Sequence, residues 1–222
     1  CIDFMEKHCF DKDGRMFFEV TEEVLPLRKR RYVFSECFAA IAMSEYALAS
    51  GDRTYAEKAL DLFKRILRNL ATPGLLEPKY LPTLQARGHS ITMILINTAS
   101  RIRAAISDPI LDTQINESIA AIRRYFMHPE FKALLEMVGL DGELIDTCNG
   151  RVINPGHCIE TAWFILEEAK HRHWDKDLVQ MGIRILEWSW EWGWDKEYGG
   201  IINFRDCRNF PVQDYSQDMK FW

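Results

Sequence analysis

The 222-residue sequence has neither an excess of basic residues nor a long uncharged apolar run. Its 28 lysines and arginines are outnumbered by 33 aspartates and glutamates, which gives a net charge of −5. The main basic run, Arg28 to Arg31, precedes an apolar segment and fits a solvated approach to a helix. Nucleic-acid binding needs a broader basic face, and charge interrupts each apolar stretch before it reaches bilayer length. We therefore expect neither a nucleic-acid partner nor a membrane partner.

Motifs for metal binding, phosphate binding and serine nucleophiles are also missing. None of the six cysteines forms a C-x-x-C pair, and the sequence contains no H-E-x-x-H, G-x-S-x-G or phosphate-loop motif. We therefore expect no metal or redox cofactor to be required, while a nucleotide effector is left open. The scattered cysteines and the lack of a secretory signal predict a reduced, cytoplasmic protein.

Helical periodicity dominates what is present. Helices that begin near residues 33, 89 and 157 are apolar nearly all round, and more one-sided helices separate them. Such alternation is typical of two concentric helical layers. The pattern therefore predicts an all-α, α/α barrel whose inner helices direct their N-termini at a central cleft. A plain helical-repeat scaffold shares this periodicity and is the alternative.

The same periodicity, together with turn and capping residues, predicts the individual elements. Helices are predicted over residues 1–8, 34–50, 53–70, 88–106, 109–126, 129–138 and 175–192, and a longer one starts at 154–156, with short strands at 16–20, 143–146 and 201–204. A weak internal repeat relates Phe10–Phe18 to Trp194–Ile202, because both segments make an acidic, glycine-containing turn that leads into a strand.

The strongest chemical signal is the segment Asn154-Pro155-Gly156-His157 with Glu160 three residues later. Asn154 is a good N-cap and Pro155 suits the first helical position. His157 then lies in the first turn of a helix, where a neutral imidazole can act as a base. Glu160 falls on the same helical face and could orient His157 or bind a substrate hydroxyl. The alternative is a histidine that only caps or packs.

Two further residues are candidates for substrate binding. His89 follows Gly88 at the start of an apolar helix, where it could also be a capping or core histidine. Glu36 is an acid near the start of another apolar helix, and burying a lone carboxylate is costly. Either Glu36 accepts hydrogen bonds from backbone N–H groups at the helix start, or it lines a polar cleft.

Four segments of the sequence resemble the N-acylglucosamine 2-epimerase family, in the same order and over nearly the whole chain. The family includes the renin-binding proteins and is related to cellobiose 2-epimerases. The N-P-G-H-x-x-E and F-S-E-C-F segments are the specific parts. The four segments are Arg31–Phe38, Asn154–Phe164, Trp194–Ile201 and Met219–Trp222.

The resemblance implies a single domain over residues 1–222, an (α/α)6 toroid with short β-hairpin connections that is incomplete at both ends. It implies a sugar 2-epimerase, an isomerase that interconverts N-acetylglucosamine and N-acetylmannosamine by moving the C2 proton between histidines. His157 then matches the first catalytic histidine, Glu160 the acid after it, and Trp222 a substrate-side tryptophan. A second histidine and an arginine are expected outside the chain.

Two other functions share this architecture. A glycoside hydrolase or lyase needs two carboxylates across a sugar subsite, and Glu36 with Glu160 is the only inward pair that the sequence offers. A non-catalytic, renin-binding type of partner protein needs no turnover at all. For the epimerase and for the hydrolase or lyase, the partner is a small-molecule sugar. A homodimer is left open.

Overall fold

A computed structural model describes residues 1–30, 32–80 and 83–212 of the chain, which divide into two compact units. Unit 1 holds residues 1–80 and 97–115, and unit 2 holds residues 83–96 and 116–212. The single domain stays a prediction. In the described part, no helix has both the length and the apolar character needed to cross a bilayer.

Helices make up most of the described residues, and the strands are very short. The helices are α1 (Ile2–His8), α2 (Phe34–Ser50), α3 (Arg53–Ala71), α4 (His89–Ala105), α5 (Pro109–Ala121), α6 (Pro155–His171) and α7 (Lys176–Gly193), with a π-helical turn at Ile122–Phe126. The strands are β1 (Glu19–Val20), β2 (Pro26–Arg28), β3 (Arg87–Gly88), β4 (Met127–His128), β5 (Ala133–Leu134), β6 (Met137–Val138), β7 (Val152–Ile153) and β8 (Arg205–Asp206).

Capping residues set the helix boundaries where the sequence predicts them. Gly51 ends α2 in the left-handed conformation, at φ +75°, which glycine adopts at little cost. Asp52 then caps α3 by accepting a hydrogen bond from the N–H of Thr54. Asp175 caps α7 in the same way. The short links make α2 with α3, and α6 with α7, two helical hairpins.

Burial follows the predicted alternation of helices in part. Helix α3 has one apolar face, which buries Leu60, Phe63 and Ile66, and α7 is similarly one-sided. Helices α2 and α6 carry apolar residues around more of their circumference. Helix α5 departs from the alternation, because its sequence is only weakly one-sided although it buries a single stripe through Leu111 and Ile115.

The helix predicted over residues 129–138 is wrong. Strands β4 and β5 form an antiparallel hairpin there, and β6 pairs with β3 instead. The turn between β4 and β5 places Lys132 at φ +47°. Residues 133–135 and 137–138 are buried, and residue 136 between them is partly buried, so the segment crosses the interior in extended form. Tertiary pairing has overridden an apolar spacing that also fits a helix.

The strand predictions need smaller corrections. Within the predicted strand at 16–20, only Glu19–Val20 is a strand, and it pairs with β2. Residues 143–146 form no strand, because a turn at Asp141 and Gly142 folds Glu143 back so that its C=O accepts from the N–H of Gly139. The strand predicted at 201–204 lies a few residues later, as β8, which pairs with β7.

The internal repeat is confirmed as a repeated local structure. Phe10 forms an isolated antiparallel bridge with Met16, and Trp194 forms one with Ile201. In the first copy Gly14 has φ +76°, and in the second Gly199 has φ +71°. Both glycines therefore supply the left-handed residue that lets the chain turn back after a helix.

A buried ion pair fixes the first of these turns against α2 in unit 1. Arg15 Nε lies 2.5 Å from Glu36 Oε1, and the side chains are 12% and 2% exposed. The same carboxylate oxygen accepts from the backbone N–H of Met16 at 2.9 Å. Arg15 also donates to the backbone oxygens of Arg30 and Tyr32. The pair therefore ties the chain before α2 to the helix itself.

We expect Arg15→Met to destabilise the protein by about 3–5 kcal/mol, because it leaves the Glu36 carboxylate buried without its cation. Urea unfolding of the full-length protein that contains this chain measures the change. Arg53→Met is the matched control, since Arg53 pairs with Glu57 on the exposed surface of α3. That control should cost about 0.5 kcal/mol or less. Equal costs for the two variants would contradict the role of the buried pair.

Candidate functional site

His157 lies in the first turn of α6, and two interactions fix it there. The N-cap Asn154 accepts from its backbone N–H through Oδ1 at 3.1 Å. Its imidazole Nδ1 lies 3.0 Å from Oε1 of Glu136, a hydrogen bond in which the carboxylate accepts. The side chain remains 35% exposed. The capping prediction for Asn154 is therefore confirmed, and the His157 side chain is both oriented and accessible.

Glu136 is the residue that sequence reasoning missed. It lies between β5 and β6, in the segment that was predicted to be helical, and its side chain is 16% exposed. Its backbone C=O accepts from the N–H of His89 at 3.0 Å, and its N–H donates to the C=O of Val152 at 3.1 Å. A single residue therefore connects the start of α4 with the strand that leads into α6. The available signal was one carboxylate inside a continuous apolar run.

His89 is buried next to the Glu136 carboxylate and is not exposed to solvent. Its side chain is 0% exposed, and Nδ1 lies 3.5 Å from Glu136 Oε1. That contact is electrostatic, because Nδ1 makes no hydrogen bond with the residues that the structure describes. The ring packs edge-on against Phe126, with centroids 5.5 Å apart. Direct contact of His89 with a sugar, predicted from the sequence, has no support in this buried position.

Thr161 closes the cluster on the side opposite Glu136. Its hydroxyl lies 3.0 Å from Nε2 of His89 and 2.9 Å from the backbone oxygen of His157, one turn earlier in α6. Glu136, His157, Thr161 and His89 therefore form a closed ring of polar contacts at the N-termini of α4 and α6. We call these four residues the Glu136 cluster.

The Glu136 cluster keeps its carboxylate ionised. Burial by itself would raise the pKa of Glu136, but the hydrogen bond from His157 and the contact with His89 outweigh it and hold the pKa well below the ordinary value of 4.5. The N-terminal ends of two helices lie beside the same carboxylate and also favour negative charge. An ionised Glu136 can hold the proton of His157 on Nδ1.

The other predicted site residues have different surroundings. Glu160 is partly buried and makes no hydrogen bond or ion pair with any described residue, so the carboxylate that holds His157 is Glu136. Glu36 belongs to unit 1 and is bound by Arg15 and by the N–H of Met16, which lies outside α2, so the partners that the structure describes are not the N–H groups at the start of its own helix. Trp222 lies outside the described residues, so its substrate contact stays a prediction.

Comparisons with known proteins agree with the resemblance seen in the sequence. The sequence model of a family described as N-acylglucosamine 2-epimerase matches residues 1–222. The N-acylglucosamine 2-epimerase of Bos taurus is 29% identical over 210 residues, which are 92% of this chain and 49% of that protein. The Homo sapiens protein of the same name is 29% identical over 215 residues, with the same coverage. The chain thus spans about half the length of these relatives.

A solved structure gives the fold. The cellobiose 2-epimerase of Bacillus thermoamylovorans superimposes with a TM-score of 0.75 at 17% identity, over 91% of this chain and 56% of that chain. Such proteins are (α/α)6 barrels. The (α/α)6 fold predicted from the sequence is therefore confirmed, over about half of the barrel's length.

The buried carboxylate of Glu136 should make the protein sensitive to acid. Its folded-state pKa lies below the ordinary value of 4.5, so its stabilising effect is complete above about that pH and is lost as the pH falls through the folded-state pKa. Glu136→Gln removes this dependence. Below pH 4.5, the difference in unfolding free energy between wild type and variant should shrink by up to about 1.4 kcal/mol per pH unit.

Urea unfolding of the full-length protein at a series of pH values measures this difference. The wild type should lose its advantage over the variant on acidification and keep it at neutral pH. A difference that does not change with pH would show that folding does not lower the pKa of Glu136.

Proposed function

Because the chain belongs to the N-acylglucosamine 2-epimerase family, we propose that the protein containing it is a sugar 2-epimerase. It inverts C2 of an open-chain 2-acylamino aldose, and so interconverts N-acetylglucosamine and N-acetylmannosamine or a related pair. The observation that carries the proposal is His157, an accessible imidazole in a helical first turn with Nδ1 bound to a buried carboxylate. That is the arrangement of an oriented general base.

The chemistry needs two proton transfers at one carbon. In the forward step the C2–H bond breaks, Nε2 of His157 takes the proton, and the electron pair forms an enolate with the C1 carbonyl. In the return step a second acid on the opposite face gives a proton to C2, and the carbonyl re-forms. The resemblance expects that second histidine outside this chain. The positive charge that forms on His157 is balanced by Glu136, 3.0 Å from Nδ1.

A glycoside hydrolase on the same fold is supported less well. Such an enzyme needs two carboxylates that face one glycosidic bond. Of the pair that the sequence offers, Glu36 is 1% exposed and already bound by Arg15. That leaves Glu160 without the second acid. A non-catalytic partner protein is separated from the epimerase by turnover alone.

Substrate and location are the finer parts of the proposal. The names of the bovine and human relatives support a 2-acylamino sugar, whereas the cellobiose 2-epimerase keeps a related aldose as the second choice. The six cysteines are free thiols, and Cys37 and Cys158 are buried ones whose pKa is raised mainly by burial. Free thiols are typical of a reducing compartment, which supports a cytoplasmic protein.

His157→Asn in the full-length protein should keep the fold and lose turnover by at least about a hundredfold, because the proton acceptor is removed. Asparagine is small, polar and tolerated in a first helical turn. Deuterium incorporation at C2 of N-acetylglucosamine in heavy water, followed by NMR, measures the exchange step separately from epimerisation. Glu160→Gln should lose less if Glu160 only orients the substrate.

The assignment of His157 would be wrong if its asparagine variant still exchanged C2 hydrogen and epimerised at a near wild-type rate. Loss of all exchange makes His157 the base in the direction tested. Exchange without epimerisation makes it the acid on the opposite face. Release of new reducing ends from an oligosaccharide, with no epimerisation, would favour the hydrolase instead.

Chelation should not abolish the activity. The proton next to an aldehyde carbonyl is acidic enough for histidine acid–base catalysis, so the proposed reaction needs no metal ion. We expect the full-length protein to keep its rate after dialysis against EDTA. Loss of activity on dialysis, with recovery when a divalent metal is returned, would contradict this part of the proposal.

A further inference from the structure

We infer that Glu136 is a positioning residue, which fixes the His157 ring with its proton on Nδ1 so that Nε2 is the nitrogen that exchanges a proton with the sugar. This inference rests on the proposed function for its chemistry, but the assignment of the proton is a property of the protein alone. The tautomer of a histidine is set by the partner that one ring nitrogen finds.

The position of Glu136 is fixed by the backbone on both sides. Its C=O accepts from the first residue of α4, and its N–H donates to Val152, two residues before the N-cap of α6. The pairing of β3 with β6 joins Gly88 to Met137 immediately alongside. The backbone that carries the carboxylate is therefore held independently of the His157 imidazole. The imidazole of His157 is held by a fixed acceptor.

The protons of the Glu136 cluster can be assigned from its contacts. If the Thr161 hydroxyl donates to the backbone oxygen of His157, it must accept from Nε2–H of His89. In that arrangement a neutral His89 carries no proton on Nδ1, which lies 3.5 Å from Glu136 Oε1. If Thr161 donates to His89 Nε2 instead, the proton of His89 is on Nδ1.

Under both assignments the carboxylate of Glu136 accepts from Nδ1–H of His157 at 3.0 Å, while Nδ1 of His89 lies farther away, at 3.5 Å. His157 cannot carry its only neutral-state proton on Nε2 without losing this hydrogen bond. His89 has no exposed surface. Its role is to contact the Glu136 carboxylate on the side that faces the protein interior.

A second glutamate–histidine pair in the same unit provides a matched control. Nδ1 of His128 lies 2.9 Å from Oε1 of Glu130, with side-chain exposures of 9% and 58%. The bond type equals that between His157 and Glu136, but the carboxylate is exposed and stands outside the Glu136 cluster. Changing Glu130 should affect His128 and leave His157 unchanged.

The test uses the full-length protein labelled with ¹⁵N-histidine. Ring nitrogen chemical shifts at neutral pH should report His157 with a protonated Nδ1 in the wild type. Glu136→Met removes the acceptor at similar volume and should move the proton to Nε2, the preference of an unconstrained imidazole. Glu136→Gln keeps an acceptor oxygen and should change the tautomer less. Glu130→Gln should leave the His157 signals as they are.

Kinetics provide the second readout. Glu136→Met should lower kcat for epimerisation about 10- to 100-fold, the range for removing a group that orients a reactive histidine, with KM changed less than about threefold, and Glu136→Gln should lose less. Glu136→Asp, which keeps the charge but withdraws it by one methylene, should recover part of the loss. A general structural defect would instead lower the melting temperature without moving the tautomer.

An unchanged His157 tautomer in Glu136→Met would overturn the inference, as would wild-type kcat in the same variant. If Glu136→Met does not fold, the Gln and Asp variants decide the matter through kcat and the ring shifts. Should the wild type epimerise no sugar, the proposed function fails, while the tautomer experiment still decides whether Glu136 positions His157.

Discussion

The site depends on one buried carboxylate that two helices share. A carboxylate held away from water is costly unless it is paired, and Glu136 meets this demand with ring nitrogens from His89 and His157. Because those histidines begin α4 and occupy the first turn of α6, the pairing requires both helices to start at the same place. Because the buried charge must be paired, the positions at which these two helices begin within unit 2 are constrained.

The sequence predicts the helices but not the contacts of Glu136 that connect α4 with α6. The difference lies in whether the determining contacts are local or distant in sequence. Helix ends are set by neighbours in sequence, and the caps Asp52, Asn154 and Asp175 act within three residues of the groups they bind. The segment around Glu136 obtains its structure from β3 and from Val152, far away in the chain. Its apolar spacing fits a helix equally well, so local reasoning chose the wrong element and passed over the acid inside it.

Two buried glutamates show why position in the chain does not reveal role. Glu36 and Glu136 both sit in apolar surroundings, and the same energetic argument predicts a partner for each. The Glu36 carboxylate is bound by an arginine and by a backbone N–H, and both interactions are structural. Glu136 lies instead beside two imidazoles, those of His89 and His157. The sequence identified the structural carboxylate as a candidate for the site and missed the one beside the titratable group.

The last step joins this constraint to catalysis. A general base works best when its orientation is settled before the substrate arrives, because no free energy is then spent on ordering it. The His157 ring is set by the N-cap Asn154 at its backbone and by Glu136 at Nδ1, and both partners are themselves buried or fixed by the backbone. In the proposed epimerase, Nε2 is the nitrogen that takes the proton. The positive charge that the ring then acquires meets a carboxylate that is already ionised, so the proton acceptor and its counter-charge are both in place before a sugar binds.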